Sequence, residues 1–209
     1  VLRVAAPDGR VTAVVFGYAC HGTVLADTRW SGDYMGDAQI ALERAYPGAT
    51  ALFVAGCGGD QNPLPRRSVE LSERYGRALA DAADTALRGN LRALRGRWDG
   101  RFQELPLTFD RLPTRPELAA KADGSDAAAA RWAGAMLRRL DERTMAPAYP
   151  CPVQLWRLGD GPLIVALGGE VVVDYSLRLK RELGPDRTWV FAYANDVMGY
   201  IPSRRVLDE

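Results

Sequence analysis

Residues 11–54 read VTAVVFGYACHGTVLADTRWSGDYMGDAQIALERAYPGATALFV, and the succession of patterns within them sets the fold. Val11–Cys20 is β-branched and aromatic, the composition of a buried strand. Asp37–Tyr46 carries apolar residues at helical spacing through Ile40 and Leu42, and Pro47-Gly48 stops it. Ala51–Val54 is an apolar run of strand length. Strand, helix and strand therefore follow one another. On the amino-terminal side, Pro7-Asp8-Gly9 is turn chemistry that makes Val1–Ala5 a hairpin partner of the first strand.

On the carboxyl-terminal side, Leu71, Tyr75, Leu79, Ala83 and Leu87 recur every fourth residue, which predicts an amphipathic helix over Ser68–Arg88 lying on a sheet. Arg101–Asp110 alternates as a strand does. Arg115–Arg143 is Ala-rich and charged and reads as two surface helices broken near Gly124, a helical insert over 115–145. Cys151–Leu158 and Leu163–Leu167, joined by Gly159-Asp160-Gly161, read as a second hairpin. A helix over Glu170–Leu183 and a strand over Trp189–Tyr193 follow. Adjacent antiparallel pairs do not occur in a purely parallel architecture, so the predicted fold class is α/β, with a mixed β-sheet flanked by helices and carrying β-hairpins.

The bulk composition narrows the function classes. With 209 residues, 47% hydrophobic and 25% charged, the chain can bury a sizeable core as one domain. A formal charge of +1 supplies no field for a polyanion, which argues against a nucleic-acid partner. The longest apolar runs, Val11–Phe16 and Pro162–Leu167, fall far short of the roughly 20 residues of a membrane helix. The chain starts at Val1 inside a predicted strand, so a signal peptide is expected to lie upstream if there is one. Three cysteines without a close pair, Cys20, Cys57 and Cys151, fit neither a dense disulfide framework nor a structural zinc knuckle.

Four loops at predicted strand ends carry residues suited to chemistry. His21, the one histidine, stands before Gly22-Thr23 as either a hydrogen-bonded structural residue or a ligand. Its neighbour Cys20 would point to the opposite face of a strand, so the pair does not read as a Cys-His nucleophile and base, and Cys20 reads as core. Gly56–Pro63 is glycine-rich but lacks both the P-loop ending and the dinucleotide spacing, leaving a tight turn capped by Asp60 or a loop that approaches a ligand. Glu170 follows Gly168-Gly169 as a helix-capping residue, a metal ligand or a general base. Asn195 to Pro202 reads as a constrained turn with Tyr200 half-buried. Arg204-Arg205 reads as a solvated pair.

Taken in order, Tyr18-Ala19-Cys20-His21-Gly22-Thr23, Gly59-Asp60-Gln61-Asn62-Pro63, Gly169-Glu170 and Asn195 to Pro202 resemble the neutral, non-lysosomal ceramidase family. Ser31-Gly32-Asp33-Tyr34-Met35-Gly36 is similar to that family's acidic-glycine stretch. The resemblance spans nearly the whole chain and implies that residues 1–209 are part of a single ceramidase-like catalytic domain. It implies one catalytic Zn2+ held by two histidines, a glutamate and a tyrosine, with His21, Glu170 and Tyr200 as three of the four. The remaining histidine belongs to a motif nearer the family's amino terminus and is expected upstream. The chain alone is therefore expected to hold zinc weakly and to be inactive.

In this reading Asp60 and Asn62 are the catalytic-loop residues, and metal-activated water attacks the amide of an N-acyl lipid such as ceramide. Asn62 stands where the family has a serine, and an amide side chain cannot form an acyl ester, so a nucleophilic role there is excluded. That departure keeps a different amide or ester substrate open, and a non-catalytic domain retaining the fold is the third reading. The resemblance further implies a secreted, periplasmic or membrane-associated protein acting on a small lipid amide, with association at a membrane surface in view.

Overall fold

A computed structural model describes all 209 residues. The elements in chain order are β1 (Leu2–Ala5), β2 (Val11–Tyr18), α1 (Asp33–Ala45), β3 (Thr50–Ala55), α2 (Val69–Arg88), β4 (Trp98–Thr108), α3 (Arg115–Ala122) and α4 (Ala127–Asp141). There follow β5 (Ala148–Leu158), β6 (Leu163–Leu167), β7 (Glu170–Val171), α5 (Val173–Leu183), β8 (Thr188–Phe191), β9 (Tyr200–Ile201) and α6 (Arg204–Asp208). They fall into two compact units, Val1–Gln103 with Pro152–Glu209, and Glu104–Cys151.

In the first unit the predicted α/β class holds, with two sheets that each mix parallel and antiparallel pairs. One sheet has the order β1-β2-β3. Its β1 and β2 are antiparallel, and β2 and β3 are parallel from Ala13 opposite Thr50 to Tyr18 opposite Ala55. The crossover between the parallel strands is α1, and α2 packs beside it. Val14, Phe16, Leu42, Ala51, Ala83 and Leu87 form the core they enclose. A four-stranded sheet has the order β4-β5-β6-β8, with β5 and β6 antiparallel and β6 and β8 parallel. The Ala192 amide just beyond β8 donates to Ala55 O at 2.9 Å, so the two sheets meet at their strand ends.

Two helices differ from their sequence reading for physical reasons. Helix α1 starts at Asp33, not Asp37, because the Asp33 carboxylate accepts from the amides of Tyr34 at 2.7 Å and Leu25 at 2.9 Å. The two glycines of this turn, which would weaken a free helix, let its backbone close tightly: a Cβ on Gly32 would lie 2.8 Å from the Gly36 Cα. In α2 the buried face is Ser72, Gly76, Ala80, Ala83 and Leu87. A strict four-residue repeat advances about 40° per step, so the predicted stripe wraps around the helix and meets the buried face only near its end. The tie to α1 is made by small residues, and Ser72 Oγ donates to Asp37 Oδ2 at 2.6 Å. Tyr75 and Leu79 turn instead to the wall of a cleft.

Residue Glu170 does not open a helix. It lies on β7, a two-residue strand parallel to β9, with Glu170 opposite Tyr200, and α5 starts three residues later. Cys20 is half-buried and not core, because β2 ends at Tyr18 and the chain bends before it. Cys57 and Cys151 are buried, and no disulfide joins the three.

The second unit contains α3 and α4, packed on each other through Leu118 and Ala133, both fully buried. Thr114 and Glu117 form a capping box at the start of α3. The Arg111 side chain, 2.8 Å away, and the Thr114 groups hold the Glu117 carboxyl down to about 2. Asp126 caps α4 by accepting from the amides of Ala128 and Ala129.

Candidate functional site

Parallel strands end side by side at Tyr18 and Ala55, and the loops leaving them run on together. The Gly56 amide donates to Tyr18 O at 3.0 Å and the His21 amide to Gln61 O at 2.9 Å. Loops beyond the carboxyl ends of parallel strands are where α/β sheets build ligand sites. The glycines make the loop contact close: a Cβ on Gly58 would lie 2.9 Å from Cys20 N, and one on Gly59 would lie 2.8 Å from Glu170 O. Gly59 also donates its amide to Val171 O at 3.0 Å, which ties this loop to β7.

Three residues expected as ligands come together there. His21 Nε2 lies 3.2 Å from Glu170 Oε1 and 3.3 Å from Gly59 O, with both side chains largely shielded. Glu170 stands opposite Tyr200 in the β7–β9 register, and hydrogen bonding to its carboxylate followed by the carboxylate charge pushes the Tyr200 phenol above its usual range. Tyr200 is 62% exposed, not half-buried, because β9 is short and its outer side is open. No group of three or more His, Cys, Asp and Glu side chains gathers in the chain; a phenol completes this cluster.

The donor types fit a zinc ion, since imidazole nitrogen, carboxylate oxygen and phenol oxygen are all ligands for it or for comparable Lewis acids. The 3.2 Å between His21 Nε2 and Glu170 Oε1 leaves the two donor atoms close enough that one ion would be held by both. The same distance serves a plain imidazole-to-carboxylate hydrogen bond, so the geometry accommodates both occupants.

Asp60 and Asn62 sit on the same loop with different surroundings. Asp60 Oδ1 accepts from the Val173 amide at 2.9 Å and Oδ2 from Arg205 Nη2 at 3.2 Å. Both oxygens are thereby engaged, and Asp60 caps α5 from a distance where the adjacent Val172 has no side chain to do so. Burial pushes its carboxyl up, but the Val173 amide, further hydrogen bonds and the Arg205 charge outweigh burial and hold it below its usual value. Arg205 is exposed, as the sequence suggests, and also pairs with Asp60, Asp174 and Glu209.

Asn62 Oδ1 accepts from Thr23 Oγ1 at 3.4 Å and Arg66 Nη1 at 3.3 Å, and Arg66 Nη1 also donates to Thr23 Oγ1 at 3.4 Å. With its oxygen so occupied, Asn62 presents its amide hydrogens outward. Beside it opens a cleft of about 650 Å³ with Phe16, Tyr34, Leu64, Tyr75 and Leu79 on its walls. Burial pushes the Cys20 thiol above its usual range at the cleft edge, which disfavours the thiolate a nucleophile needs.

Thr23 and Arg66 were not singled out as site residues by sequence reading, nor was Tyr193. Tyr193 follows β8 with φ +56, and its ring stands edge-on to that of His21 with centroids 6.4 Å apart. Its hydroxyl is buried and has no hydrogen-bond partner. Burial and then the Glu170 charge push this phenol above its usual range. Read as one more strand residue, Tyr193 carries no signal of this placement in the sequence.

The fold and loop arrangement together define a mixed α/β domain with a His, Glu and Tyr cluster beyond its strand ends. No protein-family profile and no curated protein matches the sequence. Among solved structures, the neutral ceramidase from Pseudomonas aeruginosa matches with a TM-score of 0.65 and 20% identity, covering 97% of this chain and 40% of that one. A ceramidase solved in complex with C2 matches with a TM-score of 0.62 and 17% identity, covering 97% of this chain and 42% of that one. At such identities the likeness establishes the fold: the chain has a neutral-ceramidase-like fold over about two fifths of the length of those proteins.

Proposed function

We propose that this chain carries part of the active site of a zinc-dependent hydrolase of ceramidase type, cleaving the amide bond of an N-acyl lipid. The observation that carries the reading is the meeting of His21, Glu170 and Tyr200, with His21 Nε2 and Glu170 Oε1 3.2 Å apart. The ceramidase-like fold supports it. His21 Nε2, a Glu170 oxygen and the Tyr200 oxygen would hold the metal. When bound, zinc supplies Lewis acidity and lowers the pKa of water from about 16 to about 7.

The chain's own groups have separate tasks. Glu170 accepts the Tyr200 proton in hydrogen bonding and so orients that phenol. Asn62, its oxygen turned in by Thr23 and Arg66, donates an amide hydrogen to the substrate carbonyl as negative charge develops on it. Asp60, fully engaged by Val173 and Arg205, fixes the loop that carries Asn62. The apolar cleft beside Asn62 suits an acyl chain. No helix of the chain is long and apolar enough to cross a membrane.

A second reading keeps the same site for another amide or ester. Asn62 favours it, because the residue type at this loop position differs from the family serine and meets the substrate directly.

Zinc content tests the site. We expect one zinc in elemental analysis of the longer protein that supplies the remaining histidine, lost in both His21→Ala and Glu170→Ala. Hydrolysis of a panel of short and long N-acyl amides, N-acylsphingosine included, then distinguishes the two substrate readings. Absence of zinc, or zinc unaffected by either substitution, would leave a binding domain as the better account.

A further inference from the structure

The least explained group near the cluster is the Tyr193 hydroxyl. It is buried without a hydrogen-bond partner, which is uncommon because a buried polar group left unpaired keeps its full desolvation penalty. Its backbone is also in the left-handed region at φ +56, costly for a residue with a side chain of this size. Both features persist because the surrounding chain enforces them. The Tyr193 amide donates to Gly169 O at 3.0 Å, the Ala194 amide to Leu167 O at 3.0 Å, and the Glu170 amide to Gly199 O at 2.8 Å. This lacing fixes Tyr193 beside the residue that precedes Glu170, with its ring against His21.

The acceptors available to the hydroxyl are few. The Asp60 carboxylate is held in place by the Val173 amide and Arg205, one on each oxygen, and the buried Cys57 thiol is a weak acceptor. Glu170 is the charge that acts on Tyr193 most strongly, and a carboxylate has room for more donors than the Tyr200 phenol and His21 provide. Carboxylates that ligate metals are themselves hydrogen-bonded by outer groups that set their orientation.

We propose that Tyr193 is a positioning residue for Glu170, its hydroxyl donating to that carboxylate when Glu170 takes up a cation with His21 and Tyr200. The inference rests on the metal-site reading above. The buried hydroxyl is then the donor that completes the hydrogen bonding of Glu170 on binding.

The test is Tyr193→Phe, which removes one oxygen and keeps the ring. Without metal, the variant's unfolding midpoint should rise by about 2–4 °C, since an unpaired buried group is deleted. Zinc affinity, measured by competition with a chromophoric chelator, should fall by about 10–100-fold. Unchanged zinc affinity in Tyr193→Phe beside a zinc-binding wild type would overturn the inference and leave the metal-site reading standing. A lower midpoint in the metal-free variant would also overturn it, by showing that the hydroxyl already has a partner. The zinc measurements use the longer protein that supplies the remaining histidine, and a wild type of it that takes up no zinc would overturn both.

Discussion

At the scale of single residues, Asn62 and Asp60 are neighbours on one loop with opposite degrees of freedom. Asn62 keeps its amide hydrogens free because Thr23 and Arg66 occupy its oxygen. If it stabilises a developing oxyanion, Asn62→Ala in the longer protein that supplies the remaining histidine should lower kcat by about 100-fold on an N-acyl amide with little change in KM, as steady-state kinetics would show. Asp60 has no free oxygen, and Asp60→Ala should cost about 1 kcal/mol in urea unfolding at neutral pH, as loss of a helix cap does. Its folded carboxyl is held below the ordinary value, so this stabilisation is complete above about pH 4–5. It fades as pH falls through the depressed value, and the gap between wild type and variant should close in strong acid. The positions of His21, Glu170 and Tyr200 were legible as loop residues at strand ends. Their contact was not, because 149 positions separate the imidazole from the carboxylate that stands 3.2 Å away.

At the scale of elements, α2 separates intrinsic preference from packing. Helix propensity alone would make Gly76→Ala stabilising by about 1 kcal/mol. The structure reverses that sign, because a Cβ there would lie 2.4 Å from Asp37 Cβ and 2.9 Å from Tyr34 O. Gly76→Ala should therefore destabilise by about 1–3 kcal/mol in chemical denaturation, through separation of α1 and α2. The existence and length of α2 were readable from its apolar repeat, and the structure adds the Ser68 cap. Its buried face was not, because small residues carry no hydrophobic signal and yet permit the closest approach. Glu170 shows the same limit: a carboxylate after two glycines has the pattern of a helix start, whereas pairing with the remote Tyr200 makes it a strand.

On the scale of the whole molecule, the chain's two units carry different content. His21, Asp60, Asn62, Glu170 and Tyr200 all lie in the unit formed by Val1–Gln103 and Pro152–Glu209. The unit Glu104–Cys151 has its own small core at Leu118 and Ala133. Leu118→Ala should remove about 2–5 kcal/mol from that core. Hydrogen exchange should then accelerate in α3 and α4, while the zinc stoichiometry of the protein stays as in the wild type. Loss of zinc in this variant would show that the site depends on both units.

The sequence by itself determined the α/β class, both hairpins, the main helices and the four loops that bear chemistry. Those features are local: periodicity, turn residues and motif spacing act over a few residues. Only the tertiary structure decided which face of α2 is buried, that Glu170 and Tyr200 share a two-stranded sheet, that Arg205 and Asp60 lock a loop, and that Tyr193 lies unpaired against His21. Each of these depends on a partner far along the chain, chosen by shape and hydrogen-bond satisfaction once the core has formed.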